Sequence, residues 1–501
     1  MGVFEVFATI LMSPYLMAIM VMAVVLGLLV GIIPGLGGSV ALALLIPLTF
    51  SMSPEAAIVL LIAAYGTVTY GGGITAILVN TPGDASAAAT TFDGYPMARK
   101  GLAGQAITAA VLASALGGIL GFVVLWAMLP AARQLILAFT YPDFFMLAVF
   151  GLTVIAVVTQ GNMFKGLVSA LLGFMLAFIG TDPIMGSARF TFGSWHLWDG
   201  LNLVPVIIGL FALTEAFQLF YQKTAIAGEH HGPISGFWAG TQAFFRHKLL
   251  FLRSAFLGIF LGMIPGVGGA VAQFLAYGSA VQTSKTPERF GKGAIEGVLA
   301  PEAANDSKEG GAMLPTLAFG IPGSAAMAVL IGGLIMHGLA PGPEMLTTSL
   351  NMTYFIIAAA IISKVVALPI ALWLGPRLAV FTRVPGTLMA PGIVAIAFVG
   401  AYAVSGSYLD VVVAFVFGVV GLCMKRFGFS RIALIIALVL GGLVEASYHQ
   451  TMSAFGSPVA FFNRPIAGTL FALTLFSLMW PWLRKAAWVR RLWGASHAKT
   501  E

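Results

Sequence analysis

The chain has 501 residues, 59% hydrophobic and 9% charged, with a mean hydropathy of +0.99 and a formal net charge of +7. A soluble domain carries roughly 25% charged residues, so too little polar surface exists here to face water. A cytosolic enzyme, a disordered chain and a secreted domain are excluded, leaving a polytopic all-α membrane protein.

Spans of about 20 apolar residues predict roughly 10 to 13 crossings. A barrel would alternate polar and apolar residues, and the runs Tyr15 to Ile33 and Val411 to Val420 do not. The first stretch has no basic n-region and is too long for a cleaved signal, so it reads as a retained first span in the lipid bilayer. It is interrupted by Gly31-Ile-Ile-Pro34-Gly35-Leu-Gly37-Gly38. This string is not a dinucleotide loop, because the strand and downstream acid are missing. A second interruption follows at Asn80-Thr81-Pro82-Gly83, and the first basic residues are Arg99 and Lys100.

The polar segment 222–248, with His230, His231 and Gly232-Pro233, reads as a central cytoplasmic linker between a first repeat half, 1–221, and a second. Residues 249–350 form the motif-bearing core of the second half, where Gly262-Met-Ile-Pro265-Gly266-Val-Gly268-Gly269 repeats the first interruption and Gly320-Ile-Pro322-Gly323 the second. The offsets are 231 (34 to 265) and 240 (82 to 322). The extra residues fall in the polar stretch Ser284 to Glu309, and 351–501 supplies further scaffold spans and a basic cytoplasmic tail.

Basic residues mark cytoplasmic loops. Lys223, Arg246, Lys248 and Arg253 precede the first break of half two, and half one has none there. Lys285, Arg289, Lys292 and Lys308 lie between the breaks of half two, where half one again has none. Arg99 and Lys100 follow the second break of half one, whereas 337–351 has neither Lys nor Arg. Two inverted repeats account for this alternation, with the N-terminus outside and the tail containing Arg484, Lys485, Arg490 and Arg491 inside. The basic charge is therefore topological, and no nucleic-acid partner is expected.

Broken backbone in hydrocarbon is tolerated only where protein or a wet cavity covers it. Matched breaks in two halves point to a midplane transport site. A helix restarting after a break offers free N–H groups and about half a positive charge. Four such ends supply roughly +2, which suits a di- or tricarboxylate with a companion cation. Thr81 is placed to cap a helix beginning at Pro82, Ser39 to cap the one after Gly38, and Ser324 lies in a first turn. The expected substrate-binding set is Ser39, Asn80, Thr81, Gly83, Gly320, Gly323 and Ser324. The breaks themselves are Pro34, Gly35, Gly37, Gly38, Pro82, Pro265, Gly266, Gly268, Gly269 and Pro322. Each glycine also has a plainer reading as a close-packing helix residue.

Asn305 and Asp306 are candidates to hold a coupling cation, Na⁺ or H⁺, although Asp306 also reads as a solvated loop charge. Asp84 would repel an anion and help a cation. Lys364, inside an apolar run, reads as a structural ion-pair partner; Glu215 and Glu445 as interfacial charges; His337 as a loop residue. Cys423 is the only cysteine, no P-loop is present, and no nucleophile–base pair or metal-ligand spacing occurs, so neither enzyme activity nor a cofactor or metal is expected. An ion or anion channel is the alternative, since channels also use broken helices.

The run from Gly31-Ile-Ile-Pro-Gly-Leu-Gly-Gly through Ile77-Leu-Val-Asn-Thr-Pro-Gly83 to Asp93-Gly-Tyr-Pro-Met-Ala-Arg-Lys-Gly101 resembles the large membrane subunit of tripartite tricarboxylate transporters, the TctA family. So do Ala300-Pro-Glu-Ala-Ala-Asn305, Gly320-Ile-Pro-Gly323 and His337-Gly-Leu-Ala-Pro-Gly-Pro343. The resemblance implies a subunit of the bacterial inner membrane that works with a small membrane subunit and a periplasmic substrate-binding protein. It implies carboxylate uptake on an ion gradient, and an elevator-like movement suits such repeats. One departure stands out: the family pattern has a second Asn after Asn305, and this chain has Asp306.

Overall fold

The computed structural model describes residues 3–158, 163–182, 186–221, 236–266, 268–378 and 384–483. These are almost entirely helical; two strands of two residues each, Gly180–Thr181 and Ala188–Arg189, pair antiparallel. Among the described residues, eight helices are long and apolar enough to cross a membrane. The expected 10 to 13 spans are reached only by counting shorter apolar helices such as Gly38–Thr49 and Ala325–Met336, because the breaks divide spans into half-helices. His230, His231, Lys223 and the basic tail lie outside the described residues, as does most of the expected linker. From Gly236 onward that segment holds a helix, Phe237–Arg246.

Two compact units emerge, one from 1–136 and 202–427, the other from 137–201 and 428–501. Compactness therefore groups the chain differently from the sequence halves. In the second unit, helices Tyr141–Val158, Met163–Ala177, Arg431–Phe455 and Pro465–Leu483 pack together. Glu445 lies midway along its helix, where Arg189 grips both its carboxylate oxygens at 2.6 and 3.2 Å. A forked guanidinium matches a carboxylate in this way. Asp143 accepts the Ala467 N–H at 2.9 Å.

The first unit contains a repeated core of ten helices, numbered α1 to α10. Half one supplies α1 (Pro14–Ile32), α2 (Gly38–Leu45), α3 (Pro54–Val79), α4 (Thr91–Arg99) and α5 (Ala103–Ala138). Half two supplies α6 (Lys248–Gly262), α7 (Gly268–Thr283), α8 (Glu296–Phe319), α9 (Ala325–Met336) and α10 (Leu350–Leu378). Serine caps followed by proline start α1 and α3, with Ser13 accepting the Leu16 N–H and Ser53 the Ala56 N–H, each at 3.3 Å.

Packing within each half rests on matched glycines. A Cβ on Gly27 or Gly31 of α1 would fall 2.1 Å from the Ala64 or Val68 carbonyl oxygen of α3. The counterparts on α6, Gly258 and Gly262, stand equally close to the Ala304 and Lys308 carbonyls of α8, at 2.4 and 2.2 Å. Small residues let the backbones touch. The halves then exchange their last helices. Gly117 and Gly121 of α5 press on the Ala303 and Ser307 carbonyls of α8, while α10 packs against α3. Asp93 of α4 joins them further, accepting the Gly293 and Ala294 N–H groups at 2.7 and 2.8 Å just before α8. Outside the core, Glu215 is buried and paired at 2.8 Å with Lys425 in the last turn of Tyr408–Phe427.

Candidate functional site

The four breaks are built alike. After α1 the chain turns at Gly35, with φ of +88°, and its N–H donates to the Gly83 carbonyl at 2.9 Å. After α6 it turns at Gly266, φ +83°, and that N–H donates to the Gly323 carbonyl at 3.1 Å. The long helices α3 and α8 both end in a left-handed residue, Asn80 at φ +54° and Gly320 at φ +68°. Asparagine is among the few side chains that tolerate this conformation. Each half therefore ties its first break to its second by one backbone hydrogen bond, satisfying groups that lipid would strand. Gly83 has no room for a side chain, since a Cβ there would fall 1.7 Å from the Gly31 carbonyl oxygen.

The helix caps differ from expectation. Ser324 caps α9, accepting the Met327 N–H at 3.3 Å. Ser39 lies inside α2, whose cap position is Gly37 with no side-chain bond. Thr81 caps nothing and donates to the Val79 carbonyl at 3.3 Å. The Gly83 carbonyl receives the Gly35 N–H, and the next helical turn starts only at Ala85. Its cap is Asp84, which accepts from the Ser86 hydroxyl at 2.9 Å. The Asp84 carboxylate also faces Gly37, 2.9 Å from its Cβ position, and so meets the positive end of α2.

Breaks of opposite halves face one another. The Cβ position of Gly38 lies 3.8 Å from Ala326 at the start of α9, with Tyr65 of α3 between them. That of Gly269 lies 2.7 Å from Ser86 Cβ, beside Asn305 and Lys308 of α8. Tyr65 and Asn305 are themselves 240 residues apart, the repeat offset, so the two crossings correspond.

Helix α8 carries a buried charged face that the sequence reading missed. Glu302, Asp306 and Glu309 are spaced one turn apart and all are buried. Asp306 is no solvated loop charge: it accepts from Thr69 Oγ1 and from Lys364 Nζ, both at 2.9 Å. Lys364 also donates to the Gly66 carbonyl at 2.6 Å and lies over the Tyr70 ring at 5.0 Å. Its ammonium fills one side of Asp306 where a cation would otherwise bind. Glu302 accepts from Thr90 and Ser114, and Glu309 from Tyr65 and Lys308. Lys308 is thus buried in a helix rather than in a basic loop, and the loop charge of half two reduces to Lys285, Arg289 and Lys292. Asn305 is fully buried, and neither amide atom has a protein partner. His337, after α9, contacts Thr49 Oγ1 at 2.9 Å, and burial holds its pKa below the ordinary imidazole value.

Residues 17–436 match the family described as Tripartite tricarboxylate transporter TctA family. An Agrobacterium vitis protein named Uncharacterized 52.8 kDa protein in TAR-I ttuC' 3'region is 35% identical over 454 residues, 90% of each chain. Another from that organism, Uncharacterized protein in TAR-II ttuC' 3'region, is 33% identical over 219 residues, 44% of this chain and 90% of its own. No solved structure matches. Its repeated breaks, its apolar helices and a family match reaching from α1 into Arg431–Phe455 place this multi-pass membrane protein in the TctA family of tripartite tricarboxylate transporters, a family of transporters rather than enzymes.

Proposed function

We propose that the chain is the permease subunit of a secondary transporter that imports a di- or tricarboxylate on an Na⁺ or H⁺ gradient. A periplasmic substrate-binding protein delivers the solute, and a small membrane subunit completes the assembly in the bacterial inner membrane. The observation that carries the reading is the matched pair of breaks, tied by the same hydrogen bond in each half and facing each other across halves. This is the arrangement of a transporter with a midplane site. The anion lies between the segment Asn80 to Gly83 and the segment Gly320 to Ser324, shaped by Ser39 and the glycines after Pro34 and Pro265. The coupling cation belongs beside α8, which carries Asn305 and Asp306. Alternating access in an elevator-like movement then exposes the site to each side in turn.

Uptake into proteoliposomes with the cognate binding protein tests the site. Asn80→Gly keeps the left-handed turn while removing the amide, and Ser324→Ala removes the cap. Together they are expected to cut uptake by about tenfold or more; unchanged transport refutes the assignment. Current without the binding protein and without saturable uptake would mark a channel instead.

The inverted topology places the N-terminus in the periplasm and the C-terminus in the cytoplasm. It is supported by Lys100, whose ammonium donates to the Lys292 carbonyl at 2.5 Å. In a Cys423→Ser background, cysteines replacing Lys100 and Lys292 are expected to react with impermeant reagent only from the cytoplasmic side. Reaction from opposite sides would overturn the inversion.

A further inference from the structure

The two crossings differ in charge. At the half-one crossing the N-terminus of α2 already faces a carboxylate, that of Asp84, and Tyr65 donates to Glu309. At the half-two crossing, a side chain placed on Gly268, the first residue of the 16-residue α7, would meet nothing within 4 Å. Among the described residues nothing approaches that position, and the nearest carboxylate reached through a side chain is that of Glu309, which holds Lys308. Next to it, the Gly269 Cβ position lies 2.3 Å from the Lys308 Cε and 3.1 Å from Asn305 Oδ1. Asn305 is 0% exposed, and both its amide atoms are unpartnered. A fully buried amide without partners loses its hydration for no return unless a ligand completes it. A free helix N-terminus, an ammonium and an unpaired amide together form an anion site.

We propose that Lys308 and Asn305, beside the free N-terminus of α7, hold a carboxylate of the transported solute, and that Glu309, which gives up Lys308 as the anion binds, takes the coupling cation in its place. This rests on the permease reading and revises it at α8: Asn305 goes to one carboxylate of the anion, and the cation goes to Glu309 in place of Asp306. Charge balance requires the exchange. In the empty protein Lys308 and Glu309 neutralise each other. Once the ammonium turns to an incoming carboxylate, Glu309 is a buried charge without a counterion, an unfavourable state until a cation arrives. The other groups around Glu309 leave that place to a cation. Tyr65 from α3 donates to Glu309, and its hydroxyl also meets Ser324 at the start of α9, with acidic Asp84 near it. Asp306, one turn away on α8, is already matched by Lys364 of α10.

The test measures carboxylate affinity of the purified full chain, using the di- or tricarboxylate from a panel including succinate and citrate that binds the wild type tightest. One titration series varies Na⁺ at fixed pH, and another varies pH at fixed Na⁺. The slope of log affinity against log cation concentration counts the cations taken up with the anion. Glu309→Gln is expected to lower that slope by about one in whichever series carries it. The neutral pair Lys308→Met with Glu309→Gln, which leaves no lone buried charge, is expected to weaken binding at least about tenfold. A Glu309→Gln protein with the wild-type slope, or a neutral pair binding within about twofold of wild type, overturns the proposal while leaving the permease reading intact. A wild type that binds no carboxylate on the panel overturns both.

Discussion

Replacing Lys364 with methionine is expected to destabilise the protein more than any other single change at the charged face of α8. Methionine keeps most of the apolar stem, so packing against Gly118 and the Tyr70 ring is largely retained. What disappears is, among the described residues, the only cation bonded to Asp306, a carboxylate with no exposure to solvent. Breaking a buried pair from one side leaves an uncompensated charge and costs about 3–5 kcal/mol. Thermal unfolding in detergent should show a midpoint lower by roughly 5–15 °C, or folded protein should fail to accumulate. The double variant Lys364→Met with Asp306→Asn should recover most of the loss, because amide and thioether leave no charge behind. A single variant as stable as wild type would mean that Asp306 is not held as an ion in the folded protein.

That pair also accounts for the departure noted in the sequence. Asp306 makes sense only with Lys364, which lies on a helix of the same half but is aimed at the Gly66 carbonyl of the other. In the sequence the two are 58 residues apart, and nothing in local spacing connects them. The same distance effect hid Tyr65 and Thr69, whose partners on α8 lie 244 and 237 residues away. Breaks and close-packing glycines were legible because each is a local event: a Pro-Gly step ends a helix wherever it falls, and the repeat doubled the signal. By average polarity the stretch Ser284 to Glu309 leaves Asp306 open to reading as a cation ligand or as a solvated loop charge. Yet Glu302, Asp306 and Glu309 have helical spacing, the one local sign that these charges share a face. The cap on the half-one break was misassigned for a different reason. Thr81-Pro82 has the right residues for a helix start, but the segment is used to bond the other break, and Asp84 caps the turn that begins after it.

The other large effect is expected from Gly31→Val combined with Gly262→Val. Both glycines have two readings in the sequence, as parts of a helix break and as packing residues. The structure assigns them the second role, with the turns themselves made by Gly35 and Gly266. A branched side chain at residue 31 would have to enter the space of the Val68 carbonyl, and one at 262 that of the Lys308 carbonyl. A side chain in the way could change rotamer, whereas helix backbone has no such freedom. The helix must therefore move as a body. Overpacking of side chains costs about 1–3 kcal/mol per site, and contact with backbone belongs at the upper end. Moving α1 from α3, or α6 from α8, also strains the bonds from Gly35 to Gly83 and from Gly266 to Gly323, so the geometry of the breaks fails with the packing. Folded yield by size-exclusion chromatography should collapse for the double variant and fall for each single one. Gly278→Ala is the matched control: it lies within α7 with nothing inside 4 Å of its Cβ position, and a helix-interior alanine should leave stability unchanged or raise it by about 0.5–1 kcal/mol. If the double variant folds and transports like the control, close backbone approach is not what sets the two halves of this site.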